Sequence, residues 1–278
     1  MLYGKSWIKK NMENRISVNK LVGVPGTLLY VLRARYMETQ REDGVINDPK
    51  SVEIMEAIDY DFSKLEVPWS MQISVCVRME IFDEVTEKFL KENPDSVVVN
   101  LGCGLDTRFP RVDNGRVLWY DLDLPEAIEI RKNFFQETER SKFIAKSVLD
   151  FSWVDEIPKN KKTLFLAAGL FPYFTEEQVK SIIRTLKTNF PNSELLFEAI
   201  SPWIAWISHG APDVKGAYTI FKWGIRTGKS LEKWDDGIQF LEEWYHTDRY
   251  PNRWRLSGWL RFLPPPRKMV KIVHLRFM

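Results

Sequence analysis

A short apolar run at residues 96–101 (SVVVNL) leads straight into Gly102-Cys103-Gly104. Three consecutive valines favour a buried strand. Two glycines one residue apart favour a sharp turn beside which a ligand can approach the backbone closely. Beyond this turn strands and helices alternate. Residues 116–121 (RVLWYD), 142–145, 163–168 and Glu194–Ile200 read as further strands. Between them, Asp123-Leu124-Pro125-Glu126 reads as a helix start, with Asp123 as N-cap and Glu126 completing a capping box. Thr175-Glu176-Glu177-Gln178 does the same for a helix reaching Asn189. Strands alternating with helices imply parallel pairing and right-handed crossovers, hence a doubly wound α/β sheet.

The flanks read differently. In residues 1–95 the pattern is helical: Ile73, Val77, Ile81, Val85 and Phe89 recur every fourth residue until Asn93-Pro94 stops them. Residues 201–278 hold seven of the eleven tryptophans, which suggests a second aromatic core, and Arg253, Arg255 and Arg261 read as an exposed basic strip. After Pro264-Pro265-Pro266, residues 269–277 alternate like a terminal strand, suiting a hairpin added to the sheet. The expected division is a helical cap over 1–95, a cofactor-binding core over 96–200, and a Trp-rich substrate-pocket region with terminal strands over 201–278.

Composition narrows the function. Forty basic residues against 38 acidic leave a net charge of +2, which speaks against a strongly basic nucleic-acid binder. No apolar stretch is long enough to span a bilayer, and residues 1–20 show no secretory pattern. Cys76 and Cys103 read as reduced, buried thiols of a cytoplasmic protein. His209, His246 and His274 lie far apart, so no metal site is expected. The sequence offers no reading of oligomeric state.

The glycine turn suits a nucleoside. Asp121 and Asp123 follow Gly104 by 17 and 19 residues, a spacing that lets either carboxylate accept hydrogen bonds from ribose hydroxyls. A dinucleotide fingerprint would have a third glycine where Thr107 stands, and Pro110 interrupts the following helix. An NAD oxidoreductase would also want a Tyr-x-x-x-Lys pair, and none is present in the expected region. A nucleoside without phosphates fits better, and S-adenosyl-L-methionine is the common one. Cys103 has no accompanying base and reads as packing rather than as a nucleophile.

The segments VVNLGCGLDTRFPRV, WYDLDLP and LFPYFTEEQ resemble the leucine carboxyl methyltransferase family. With RARYMETQREDGVINDP (33–49) and IDYDF (58–62), the likeness is strongest to its tetracenomycin-type polyketide O-methyltransferase branch. It extends over roughly residues 25–200 and more weakly to the end. The resemblance implies a class I methyltransferase (Rossmann-like) fold with a helical N-terminal cover, and S-adenosyl-L-methionine as methyl donor. It implies that Gly102 and Gly104 line the donor, that Asp123 takes the ribose, and that Arg78 pairs with the methionine carboxylate. It also implies a second basic contact from Arg35 or Arg33, and adenine contacts from Ser147 and Val148. The protein-methylating members carry a glutamate where this sequence has Ala168 (LAAGLFPY), which weakens transfer of protein carboxyl methylation. Tyr173 and His209 are the candidates for work on the acceptor. With few histidines, the expected acceptor is a small molecule bearing a carboxylate or an acidic phenol or enol. The alternatives are protein C-terminal carboxyl methylation and a donor-binding module without turnover.

Overall fold

The computed structural model describes residues 15–18, 27–208, 221–254 and 267–278. The N-terminal part contributes strand β1 (Ile16–Ser17), helices α1 (Leu28–Thr39) and α2 (Pro49–Ala57), strand β2 (Ile58–Asp59) and the long helix α3 (Trp69–Glu92). This part is not helical throughout, because β1 and β2 pair in parallel as a separate small sheet. In α3 the fourfold periodicity holds: Ile73, Val77, Ile81, Val85 and Phe89 are all buried, and the helix stops at Asn93.

The core follows as β3 (Val97–Leu101), the short α4 (Phe109–Val112), β4 (Leu118–Asp123), α5 (Pro125–Arg131), β5 (Ser141–Ala145), β6 (Thr163–Ala167), α6 (Glu176–Asn189) and β7 (Glu194–Ile200). Beyond it come α7 (Pro202–Ser208), β8 (Ile238–Tyr245) and β9 (Val270–Phe277). Seven strands form one sheet in the order β5-β4-β3-β6-β7-β9-β8. Strands β3 to β7 are parallel, while β9 runs antiparallel to both β7 and β8. Order reverses beside β3, and in open α/β sheets the ligand crevice lies past the carboxyl ends of the strands at such a point.

Alternation along the strands explains the layering. Val97, Val99, Leu101, Phe165 and Phe197 share one face with Ile182 and Leu186 of α6. Val98, Trp119, Leu164, Leu166 and Leu196 share the other with Ile73, Phe82 and Phe89 of α3. Both faces are covered, so the central strands read as continuous apolar runs rather than alternating ones.

Four expectations change. The second strand begins two residues later than RVLWYD suggests, because its ladder pairs Val97 with Leu118 and ends with Leu101 opposite Leu122. Asp123 therefore closes the strand and is not the helix N-cap; Leu124 stands there, with no side-chain cap bond. The tryptophans do not form one second core. Trp223 and Trp254 are buried in different layers, whereas Trp203 and Trp206 are 52% and 73% exposed. Arg253 is not an exposed strip residue: its side chain is 13% exposed and paired with the buried Glu38, while Arg255 and Arg261 lie outside the described residues. The capping box at Thr175 and Gln178 forms as read.

Candidate functional site

The crevice is built from strand ends. After β3 the chain enters Gly102 and Gly104 with φ of +66° and +48°, conformations that L side chains rarely adopt. The amides of Gly102 and Cys103 both donate to the Leu122 carbonyl of β4, at 2.8 and 3.1 Å. That pins the turn against the neighbouring strand. Close approach is also required: a Cβ at Gly104 would lie 2.1 Å from Leu28 Cδ2, and one at Gly102 would lie 2.8 Å from Leu170 Cδ1. Leu28 opens α1, so the N-terminal helices sit directly on the glycine turn.

The two candidate acids separate cleanly. Asp121 is 1% exposed, and both of its oxygens are engaged. Oδ2 accepts from Arg131 Nη2 at 2.7 Å, and Oδ1 accepts from Trp119 Nε1 at 3.0 Å and Asn100 Nδ2 at 3.2 Å. Asp123 sits at the tip of β4. Its Oδ2 accepts from the Gly104 amide at 2.7 Å and its Oδ1 from the Leu124 amide at 2.7 Å. Each Asp123 oxygen thus takes one backbone bond, and an ionised carboxylate can accept roughly four hydrogen bonds.

The basic candidates also divide. Arg35 is buried, and its guanidinium donates to Asp48 Oδ2, Thr107 Oγ1 and the Leu105 carbonyl at 2.9–3.1 Å. It therefore fastens α1 to the loop beyond Gly104. Arg33, also on α1, has a buried Nη1 with no hydrogen-bond partner among the described residues. Arg78 on α3 donates from Nη1 to Glu198 Oε2 of β7 at 2.7 Å. Gly169 (φ +67°) lets this pair approach the backbone past β6: a Cβ there would lie 2.8 Å from Arg78 Nη1.

Ala168 lies between β6 and Gly169, partly buried against the α3 layer. Ser147 and Val148 follow β5 in a turn where the Ser147 hydroxyl accepts from the Leu149 amide at 3.2 Å and the Val148 carbonyl accepts from Trp153 Nε1 at 3.1 Å. Tyr173 follows the turn after β6, bonds Thr27 at the start of α1 and packs on Phe221, with centroids 5.3 Å apart. Burial raises its phenol pKa above the ordinary value, so the hydroxyl stays neutral. His209 lies outside the described residues. Cys103 is buried and its thiol is pushed well up by burial, consistent with packing.

Known proteins share both this sequence and this architecture. The leucine carboxyl methyltransferase family profile matches residues 29–187. Tetracenomycin polyketide synthesis O-methyltransferase TcmP of Streptomyces glaucescens is 34% identical, over 93% of this chain and 98% of its own. The chain belongs to the leucine carboxyl methyltransferase family. It is accordingly a methyltransferase. A second relative, the S-adenosyl-L-methionine-dependent methyltransferase dpfgK of Gibberella zeae, is 28% identical over 86% of this chain and 88% of its own. Among solved structures, a proposed methyltransferase from Thermobifida fusca superposes with a TM-score of 0.60 at 13% identity, covering 94% of this chain and 96% of the other. A DUF574 family protein from Streptomyces avermitilis gives 0.57 at 11% identity, covering 89% and 97%. Both establish the Rossmann-like methyltransferase fold. No helix among the described residues is long and apolar enough to cross a membrane.

One group in this family member escaped the sequence reading: Glu198, in the strand segment FEAI, looked like any strand polar residue. His246 reads from the sequence as structural or exposed, with a role as base left open. In the structure His246 is 1% exposed, with Nδ1 2.6 Å from Ser74 Oγ and Nε2 3.8 Å from Glu198 Oε1. Burial pushes its pKa down to about 4 from 6.5, against the pull of Glu198. The unfolded chain then binds a proton near pH 6.5 that the folded chain refuses until about pH 4. Stability from this neutral ring is present above pH 6.5 and is lost as pH falls toward 4. His246→Gln is expected to flatten that fall, read as the urea midpoint across the same pH range. A slope like the parent's would assign the fall to other groups.

Proposed function

We propose that this chain is an S-adenosyl-L-methionine-dependent O-methyltransferase acting on a small molecule, either a polyketide-like phenol or enol or a carboxylate. The acceptor reading rests on the end-to-end likeness to TcmP, whose name states polyketide O-methylation. The donor reading rests above all on the Asp123 carboxylate, fixed by the Gly104 and Leu124 amides at the tip of the strand beside the glycine turn.

The residues present suit the donor. Gly102 and Gly104 hold a left-handed turn that side chains rarely adopt, with Leu170 and Leu28 packed where those side chains would stand, which leaves the backbone of the turn to meet an adenosine. Asp123 would hold the ribose hydroxyls, Ser147 and Val148 would flank the adenine, and Arg78 would take the methionine carboxylate. Arg35 donates to Asp48, Thr107 and Leu105 and so supports the loop beyond the glycine turn. When bound, the donor supplies an electrophilic methyl on a sulfonium. The protein's own contribution is to orient and to exclude water. Leu28, Leu170 and Tyr173 close the crevice with apolar surface, and Thr27 ties Tyr173 to the N-terminal helices. Such positioning supplies on the order of 7–11 kcal/mol of a barrier. A carboxylate acceptor is ionised at neutral pH and needs no base; a phenol gains from one.

Ala168 argues against methylation of a protein C-terminus, as the protein-methylating members carry glutamate there. Calorimetry with S-adenosylhomocysteine and a radiolabelled methyl-transfer assay test the reading together. Binding, and transfer to aromatic acids or phenols rather than to a leucine-ended peptide, is the expected result. Transfer to the peptide alone would overturn the acceptor, and binding without any transfer would favour a donor-binding module. The cytoplasm is the proposed compartment.

A further inference from the structure

The Arg78–Glu198 pair differs from the other closed pairs at this end of the sheet. Arg35–Asp48 and Arg131–Asp121 leave no more than 2% of any side chain exposed. Each of those guanidiniums makes three hydrogen bonds. Arg78 and Glu198 both keep 11% exposure and share one hydrogen bond. A guanidinium has five N–H donors and a carboxylate roughly four acceptor sites, so much of the capacity of both groups is unused among the described residues. The pair is also in the right place. Ala167 of β6 is in register with Phe197 of β7, which sets position 198 beside position 168. Glu198 thus brings a carboxylate from the neighbouring strand to the neighbourhood where Ala168 offers none. It lies within β7 at the level where β6 has ended, next to Gly169, and its charge is felt by Tyr173. From within, His246 Nε2 faces its other oxygen at 3.8 Å and has no hydrogen-bond partner among the described residues.

We propose that Arg78 and Glu198 together receive an α-amino-acid zwitterion, with Arg78 taking its carboxylate and Glu198 its ammonium, which makes Glu198 a donor-binding residue. The inference rests on the donor reading above. Inserting a zwitterion between an existing anion and cation replaces one ion pair by two and leaves no buried charge uncompensated. Gly169 is required because any side chain there would press on the guanidinium.

The test is calorimetry of the parent, Glu198→Gln and Glu198→Asp with three ligands. They are S-adenosylhomocysteine, its desamino analogue, and 5′-methylthioadenosine, which lacks the amino acid altogether. The parent is expected to prefer S-adenosylhomocysteine over the desamino analogue. Glu198→Gln is expected to lose roughly 10–100-fold for S-adenosylhomocysteine, the loss of one charged hydrogen bond. It should keep its affinity for the other two ligands, and Glu198→Asp should recover part of the loss. An equal loss for all three ligands would make Glu198 merely structural and overturn the proposal. So would a parent that binds S-adenosylhomocysteine and the desamino analogue alike, a result that leaves the adenosine site standing. A parent that binds none of the three would overturn the donor reading and this proposal together.

Discussion

Asp121→Ala is expected to destabilise the protein by about 3–5 kcal/mol, because it strands the Arg131 guanidinium in a closed interior. Arg131 is 2% exposed and also donates to the carbonyls of Gly104 and Asp106. The damage therefore reaches the glycine turn through the same side chain. At this chain length the melting temperature should fall by roughly 5–9 °C. Asp121→Ala combined with Arg131→Met should recover part of the loss, since removing both charges leaves none unpaired. Thermal unfolding followed by circular dichroism reads both variants. A single variant that melts with the parent would show that the pair is not what holds this layer.

Asp123→Ala and Gly104→Val should do the reverse and remove binding. An alanine at 123 deletes the carboxylate proposed for the ribose and leaves Arg131–Asp121 intact. Loss of hydrogen bonds to a charged group corresponds to about 10–100-fold in affinity for S-adenosylhomocysteine. Gly104→Val is expected to abolish detectable binding. Its φ of +48° is poor for a β-branched residue, and its Cβ would enter the space of Leu28. Calorimetry decides, and parental affinity in both variants would end the proposal that the adenosine lies here.

Much of the fold was legible because the signals were local. Valine-rich strands, the glycine turn, the capping box at Thr175 and the fourfold stripe of α3 each depend on near neighbours. The roles of Asp121 and Asp123 were not separable, because the difference lies in distant partners. Asn100 and Arg131 occupy one carboxylate, while the Gly104 amide reaches the other. Arg35 and Arg78 look alike as helical arginines, and only tertiary packing assigns one to a loop carbonyl and the other to a strand glutamate. Strand β8 was missed for a similar reason. Its ladder is broken by a register shift between Phe240 and Glu242, and five of its residues after Gln239 are only partly buried, so no clean alternation marks it.

Strand β9 lies between β7 and β8, although β8 precedes it in sequence. A nascent chain emerging from the ribosome therefore carries β8 with nowhere to dock, and β7 keeps one edge bare. The gap closes only after Val270–Phe277 has been made. At about 5–20 residues per second that is a delay of seconds. During that interval the exposed edge is the surface most open to chaperones and to mispairing with other chains.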